Sequence, residues 1–461
     1  MKLFRPFQPQ SFAAVCVAAA VWLLPAGPRQ TGAIAGNRPN IILLMADDQG
    51  WGDTGYNGHR ILRTPNLDAM AKAGLRFNRF YAGAPVCSPT RGSVLTGRHP
   101  YRYGILYANA DSGDGPSRYA LPLRELTLAE TVKTRGYATG HFGKWHLGDF
   151  AGPKKSSPSD NGFDEWFSTV RKVPTLDPSG YWHNGVPVKE QLAGDDSRII
   201  MDRALPFIEK AVSGGKPFLA VIWFHTPHLP VSAAPEQRAK FASYTEKEQH
   251  YWGALTALDE QVGRLRGELR RLDVHRNTML WYASDNGPEG DAPGTEWPGS
   301  AGPWRGRKRS LFEGGIRVPG ILEWPARVKS GRVVEMACST SDYYPTALEL
   351  LGIKNETQLL DGVSLAPLIN GKMKERPSAI GFETMGNTRG SPKLAWIENR
   401  YKLLTSLDGG EALLFDLQQD PGETKNLAAI MPEKVKAMES ALRKWRESCA
   451  ASNAGKDYRN Q

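Results

Sequence analysis

The sequence predicts an α/β protein: one large, mixed, mostly parallel sheet sandwiched by helices, with a smaller α+β subdomain at the C-terminal end. Three observations predict it. Runs such as Asn40-Ile-Ile-Leu-Leu-Met-Ala46 are apolar without alternation, the pattern of a strand buried on both faces. Such runs alternate with helical stretches, which argues for parallel strands joined by crossovers. After about residue 365 the texture changes to short strand-like segments followed by one helix. At 461 residues, 40% hydrophobic and 23% charged, the chain has globular composition, which excludes disorder, collagen and coiled coil as descriptions of the whole.

Residues 1–35 read as a secretory signal. Lys2 and Arg5 precede an uncharged apolar run from Phe12 to Leu24, and Ala33-Ile-Ala35 offers small residues for cleavage. The run is short for a spanning helix, and no other is membrane-like, so a secreted or periplasmic protein without stable membrane insertion is expected. Cys16 would leave with the signal. Of the remaining Cys87, Cys338 and Cys449, the last two either pair or stay as buried thiols, and Cys87 is the candidate odd one.

The domain expected over 36–365 begins with the strand at 40–46. Thr64-Pro65 opens a helix that Gly74 closes. Thr127 and Glu130 form a capping box for a helix ended by Gly136. Asp149–Asp196 is rich in Gly, Pro and Ser and reads as long surface loops. Buried strands follow at Pro217–Phe224 and Thr278–Ala283, and Leu255, Leu258, Val262, Leu265 and Leu269 make a helical core stripe between them. Asn286–Gly306 is a long loop of the kind that lines sites. In the subdomain expected over 366–461, Trp396–Leu404 and Ala412–Asp416 read as a hairpin and Pro432–Glu447 as the final helix. The polar tail after Ala450 reads as loose.

Net charge is +10, which favours an anionic partner. The cations are scattered and no nucleic-acid-binding signature is present, so no nucleic acid is expected.

Ligands of parallel sheets gather beyond the carboxyl ends of the strands. Two such ends carry acids: Ala46-Asp47-Asp48 and Ser284-Asp285-Asn286. Three carboxylates and an amide oxygen are a hard, all-oxygen donor set, suited to calcium or magnesium rather than zinc. Cys87, before Pro89, stands at a helix N-terminus, where free amides favour an anion, and Arg91 follows one turn along. In Gly143-Lys144-Trp145-His146 an extended backbone would aim Lys144 and His146 to one side. Phe224-His225-Thr-Pro-His228 ends a buried strand and offers either His. Arg305-Gly-Arg-Lys308 places a lysine in a basic loop suited to an anion.

Cys87-Ser-Pro-Thr-Arg91 followed by Leu95-Thr-Gly97 resembles the signature of the type I sulfatases, and Gly136-Tyr-Ala-Thr139 leading to Gly143-Lys-Trp-His146 resembles the second signature. Phe142 departs from it, since a smaller residue is usual before that Gly-Lys. The resemblance runs over nearly everything after residue 38. It implies the alkaline phosphatase-like fold and a sulfuric ester hydrolase. It implies that a maturation enzyme oxidises Cys87 to formylglycine, whose hydrate is a nucleophile that resets itself where a thiol adduct would await external water. By the same resemblance, Asp47, Asp48, Asp285 and Asn286, with an oxygen from residue 87, hold Ca2+. Arg91 supports the hydrate, Lys144 and Lys308 hold the sulfate, His146 assists the diol, and His228, rather than His225, serves the leaving group.

The substrate expected is a sulfated carbohydrate or an aryl sulfate. Trp51, His59, Trp182, His183 and Trp304 are candidates for lining a sugar site. A phosphomonoester or phosphonate hydrolase of the same superfamily is the nearest alternative; related zinc phosphatases use Ser or Thr as nucleophile and carry His where Asn286 stands. A non-catalytic binder of sulfated glycans is the alternative of another class, and it predicts site residues missing where none is.

Overall fold

The strand Asn40–Ala46 is buried along its whole length and lies near the middle of a ten-stranded sheet. The computed structural model describes residues 1, 3, 38–108, 118–290, 297–355, 358–385, 391–407 and 410–458, so the leader read at 1–35 lies almost wholly outside the described residues. In spatial order the sheet runs Arg332–Val334, Leu75–Phe77, Gly320–Glu323, Thr278–Ser284, Asn40–Ala46, Phe218–Trp223, Ala138–Lys144, Glu165–Thr169, Tyr181–His183 and Val186–Pro187. The stretch from Thr278–Ser284 to Glu165–Thr169 is parallel throughout. Antiparallel partners flank it on both sides. The Asp149–Asp196 segment, read as loops, therefore contributes three strands. Glu165–Thr169 is buried and paired on both sides but only five residues long, and Tyr181–His183 and Val186–Pro187 are shorter still at the edge, so none shows a long apolar run.

Alternation along the central strand divides the core. Ile41, Leu43 and Met45 pack with the helices Cys87–Thr96, Leu128–Lys133 and Tyr343–Leu351. Ile42, Leu44 and Ala46 pack with Pro65–Ala73, Asp196–Ser213 and Glu246–Arg271. Each such aliphatic side chain contributes roughly 1.5–3 kcal/mol by leaving water. The capping box at Thr127 and Glu130 is formed, although its helix stops at Lys133, one turn short of Gly136. Asp259, midway along Glu246–Arg271, accepts from the backbone amides of Asn66 (3.0 Å) and Leu67 (2.8 Å) and so caps the neighbouring helix.

Gly143 excludes a side chain on two counts. Its φ is +100°, and a Cβ there would stand 1.9 Å from the carbonyl oxygen of Trp223. Gly143→Ala is expected to destabilise the fold by about 3 kcal/mol or more, from strained backbone plus a backbone clash. A thermal midpoint within a degree of wild type would contradict this. Phe142, the departure from the signature, packs on Phe207 on the helix-covered face, 5.6 Å between ring centroids, and so leaves the strand end undisturbed.

The C-terminal part is a four-stranded antiparallel sheet, Ile380–Glu383, Leu394–Ile397, Tyr401–Thr405 and Leu413–Asp416, covered by the helix Pro432–Asn453. The segment 396–404 is thus not one strand but parts of two, with the polar turn Glu398-Asn399-Arg400 between them. Buried Lys402 joins this sheet to the main body through Glu313 (2.9 Å) and Glu423 (2.8 Å). The end of the chain is docked rather than loose as far as it is described. Asp457 pairs with buried Arg98 at 2.8 Å, and the Arg124 guanidinium lies 4.3 Å from the centroid of Tyr458. Cys87, Cys338 and Cys449 are all free and buried, so Cys338 and Cys449 do not pair. No described helix is long and apolar enough to cross a membrane.

Candidate active site

Parallel direction and level register bring the carboxyl ends of five strands to one edge of the sheet. Ala46 pairs with Ser284, Met45 and Gly143 both pair with Trp223, and Lys144 pairs with Thr169. Asp47 and Asp48 follow one end, Asp285 and Asn286 another, and Lys144 closes a third. The helix Cys87–Thr96 points its N-terminus at the same place, and the loop carrying Lys308 closes over it. All ten predicted site residues meet here. Cys87, Lys144, His146, His228 and Lys308 line a cleft of about 680 Å³, with the acids and Arg91 buried beneath.

Every buried charge has an opposite. Lys144 Nζ lies 2.5 Å from Asp47 Oδ2, and Lys308 Nζ lies 2.7 Å from Asp48 Oδ2. Arg91 donates to Asp285 Oδ2 (2.7 Å) and to the Lys144 carbonyl (2.9 Å), and stacks over Trp223. Asn286 Nδ2 donates to Asp48 Oδ1 at 2.7 Å. Asp48 has φ +68°, and this left-handed backbone brings its amide to Asp285 Oδ1 at 3.1 Å. Burial works to raise the Asp47 carboxyl, but Lys144, His228, Arg91 and Lys308 outweigh it and hold it well below the ordinary range. Asp285 is driven upward by burial and by the Asp47 charge, against Arg91 and Lys144.

Two oxygens of this acid cluster stay unsatisfied: Asp47 Oδ1 and Asn286 Oδ1 are buried and accept no hydrogen bond from a described residue. Ligand atoms of Asp47, Cys87 and Asp285 lie within 4.8 Å of one another, as do those of Asp47, Asp48 and His228. In the first group the Cys87 sulfur stands where a modified residue 87 would present oxygen. Carboxylates crowded together, with spare oxygens facing inward, fit a hard divalent cation.

Cys87 is the first residue of its helix and 2% exposed. Burial raises its thiol pKa more than Lys144 and Lys308 lower it, so the group is a protonated thiol rather than an activated thiolate. His146 reaches the cleft because its φ of +58° bends the chain after the strand ends at Lys144, not because the segment is extended; Trp145 enters the core. The two candidate histidines separate clearly. His228 lines the cleft, its Nδ1 donating to the Leu229 carbonyl (2.6 Å) and its Nε2 standing 3.6 Å from Asp48 Oδ2. Burial lowers its pKa to about 4. His225 is buried away from the cleft between Asp196 and Thr169.

A family model described as Sulfatase matches residues 39–353, which spans all these elements. The chain belongs to the sulfatase family. A second model, described as N-sulphoglucosamine sulphohydrolase, C-terminal, matches 304–448. This sulfatase is 34% identical over 446 residues to the N-acetylgalactosamine-6-sulfatase of Homo sapiens, covering 87% of this chain and 83% of that one. It is 31% identical over 455 residues to arylsulfatase G of Rattus norvegicus, covering 86% and 84%. Its fold matches the crystal structure of Ps i-CgsB in complex with k-i-k-neocarrahexaose with TM-score 0.79, at 28% identity, over 89% of this chain and 93% of that one. The sulfatase hydrolyses sulfate esters on a fold of the alkaline phosphatase type.

The aromatic residues named from sequence do not line the cleft of the sulfatase. Trp51 and Trp304 pack on each other (5.1 Å between centroids), His59 on Trp252, Trp182 on Phe150, and His183 on Phe167. Trp297 lines it instead. Sequence reasoning also missed Glu289, whose carboxylate lies 3.3 Å from Lys308 Nζ and pairs with Arg309, and the wall residues Arg171 and Lys172. Glu289 sits in the long loop after Asn286, and that loop was the one available signal.

Proposed function

We propose that the protein is exported, has Cys87 converted to formylglycine by a maturation enzyme, holds calcium, and releases sulfate from a sulfated carbohydrate. The observation that carries this reading is the position of Cys87: a buried thiol at a helix N-terminus, beneath a cleft whose lysines already face the carboxylates. A protonated thiol is a poor nucleophile. As its hydrate, formylglycine supplies an oxygen nucleophile at that place. When bound, calcium polarises sulfate oxygens and offsets charge that builds on them. Asp47, Asp48, Asp285 and the Asn286 amide oxygen are the groups that hold it.

The remaining work belongs to this chain. Three carboxylates and three cations balance, so a divalent ion makes the site net positive and receptive to an anionic ester. Lys144 and Lys308 bind the sulfate oxygens as fixed ammonium donors, and Arg91 holds Asp285 and the Lys144 backbone in place. His146 lies beside Lys144 to assist the hydrate of residue 87. His228 Nε2 faces the cleft, takes up a proton from solvent as the anionic ester binds beside it, and passes that proton to the leaving alcohol. Cys at 87 and Asn at 286 support sulfate over phosphate as the ester cleaved. The basic start and apolar run within residues 1–35 support export.

His228→Asn is expected to lower kcat by roughly 10²–10⁴-fold on a sugar sulfate and by much less on an aryl sulfate, whose phenol leaves without a proton. Equal losses on both would remove the proton-transfer role. The reading as a whole is tested by sulfate release from defined sulfated mono- and oligosaccharides and an aryl sulfate, with protein produced beside a maturation enzyme. Release from one sugar class supports it; release from the aryl sulfate alone would overturn the carbohydrate assignment.

A further inference from the structure

Sulfate binding by Lys144 and Lys308 leaves two cations of the cleft unused. Arg171 and Lys172 line the same cleft, are exposed, and enter no ion pair among the described residues. Glu289, the carboxylate that lines the same cleft, is already engaged by Lys308 and Arg309. Asp149 lies near enough to act on Arg171 and Tyr119, but no carboxylate pairs directly with the cations at 171–172 among the described residues, so their charge remains available to the cleft.

Arg171 is also held in place. Its Nε donates to the Tyr119 hydroxyl at 3.1 Å, and its guanidinium lies 4.8 Å from the centroid of that ring. No described residue accepts from Nη1 or Nη2. Its backbone is clamped from beneath by a buried chain that the reaction does not use. Asp196 Oδ2 lies 2.9 Å from His225 Nδ1, His225 Nε2 lies 2.7 Å from Thr169 Oγ1, and Thr169 Oγ1 donates to the Arg171 carbonyl at 2.7 Å. The preceding residue, Val170, accepts from the His146 amide at 3.0 Å, which ties this corner to the sulfate site. An arginine fixed at its base, with its fork free, is pre-organised for a planar or tetrahedral oxyanion.

We infer that Arg171, helped by Lys172, binds a second anionic group of the substrate, so that the preferred ester is a glycan bearing another sulfate or a carboxylate near the sulfate that is cleaved. This rests on the carbohydrate reading above. His225 and Thr169 become positioning residues for Arg171, which gives His225 a role apart from the leaving group.

The test uses three oligosaccharides with the same scissile sulfate: one otherwise neutral, one with a second sulfate, one with a neighbouring uronate. The wild type is expected to favour one or both dianionic substrates by about tenfold or more in kcat/KM, expressed in KM. Arg171→Ala should collapse that ratio, Arg171→Lys should restore part of it, and Lys172→Ala should reduce it less. The dissociation constants of the same sugars for Cys87→Ala protein, with and without Arg171→Ala, give a readout independent of maturation and turnover. No preference in the wild type, or a preference that survives in Arg171→Ala, overturns the inference while leaving the sugar sulfatase standing. Release from an aryl sulfate but from none of the sugars, with none bound, overturns both.

Discussion

Cys87→Ala is expected to abolish sulfate release, by at least about 10⁴-fold, while the protein folds as before. The structural cost is small because the change deletes one sulfur atom from the first residue of a helix. Alanine is tolerated there, and the lost burial is worth about 1 kcal/mol. The functional cost is large because no other nucleophile stands at the bottom of the cleft among the described residues. Ser88, next in the helix, donates to the His146 carbonyl at 2.8 Å, and its hydroxyl is committed there. Paired preparations matured alike, compared by sulfate release and by thermal melting, decide it. Turnover within tenfold of wild type in the variant would remove residue 87 from the reaction.

The second large effect is expected from Asp47→Asn. Asp47 touches Lys144 at 2.5 Å and Arg91 at 3.6 Å, and its other oxygen has no protein partner. The amide keeps the shape and removes one of three negative charges. Three cations then face two carboxylates, and a site that was neutral before the ion entered becomes net positive and repels it. At about 4 Å and an effective dielectric of about 20, one such pair is worth about 4 kcal/mol, or about a thousandfold in affinity. Calcium titration of wild type and variant is the direct measurement, with the thermal midpoint in calcium and in chelator as a second. Wild type is expected to gain stability with calcium by mass action and the variant to gain little. Equal calcium affinity in the two proteins would mean that Asp47 is not a ligand.

The roles of two similar residues show how far local sequence reaches. Asp47 and Asp285 were legible because each directly follows a run of buried-strand texture, and the end of a parallel strand is where ligands collect. His225 and His228 were legible from their local chemistry only as a pair, and it was the resemblance that favoured His228. Burial separates them: one faces Thr169 and Asp196 behind the sheet edge, the other faces the cleft. The physical reason, which strand lies beside which, is a tertiary one. Arg171 is a stronger case. Its segment has no periodicity, yet it is fastened by partners at Tyr119, Thr169 and, through them, His225 and Asp196.

The same division holds for the fold. Unbroken apolar runs declare buried strands because a strand covered on both faces has no polar side to show. The short strands at 165–187, the turn within 396–404 and the docking of Asp457 and Tyr458 carry no such mark, since their stability comes from distant partners such as Arg98 and Arg124. By itself the sequence determined the doubly covered sheet, the acids at its strand ends, the cysteine at a helix N-terminus and hence the chemistry, because each is set by residues adjacent in the chain. Only the tertiary structure decided why His228 and not His225 enters the cleft, that Cys338 and Cys449 stay apart, and that Glu289 and Arg171 line one cleft. Those are facts of register and packing between segments tens to hundreds of residues apart, and short-range patterns hold no information about them.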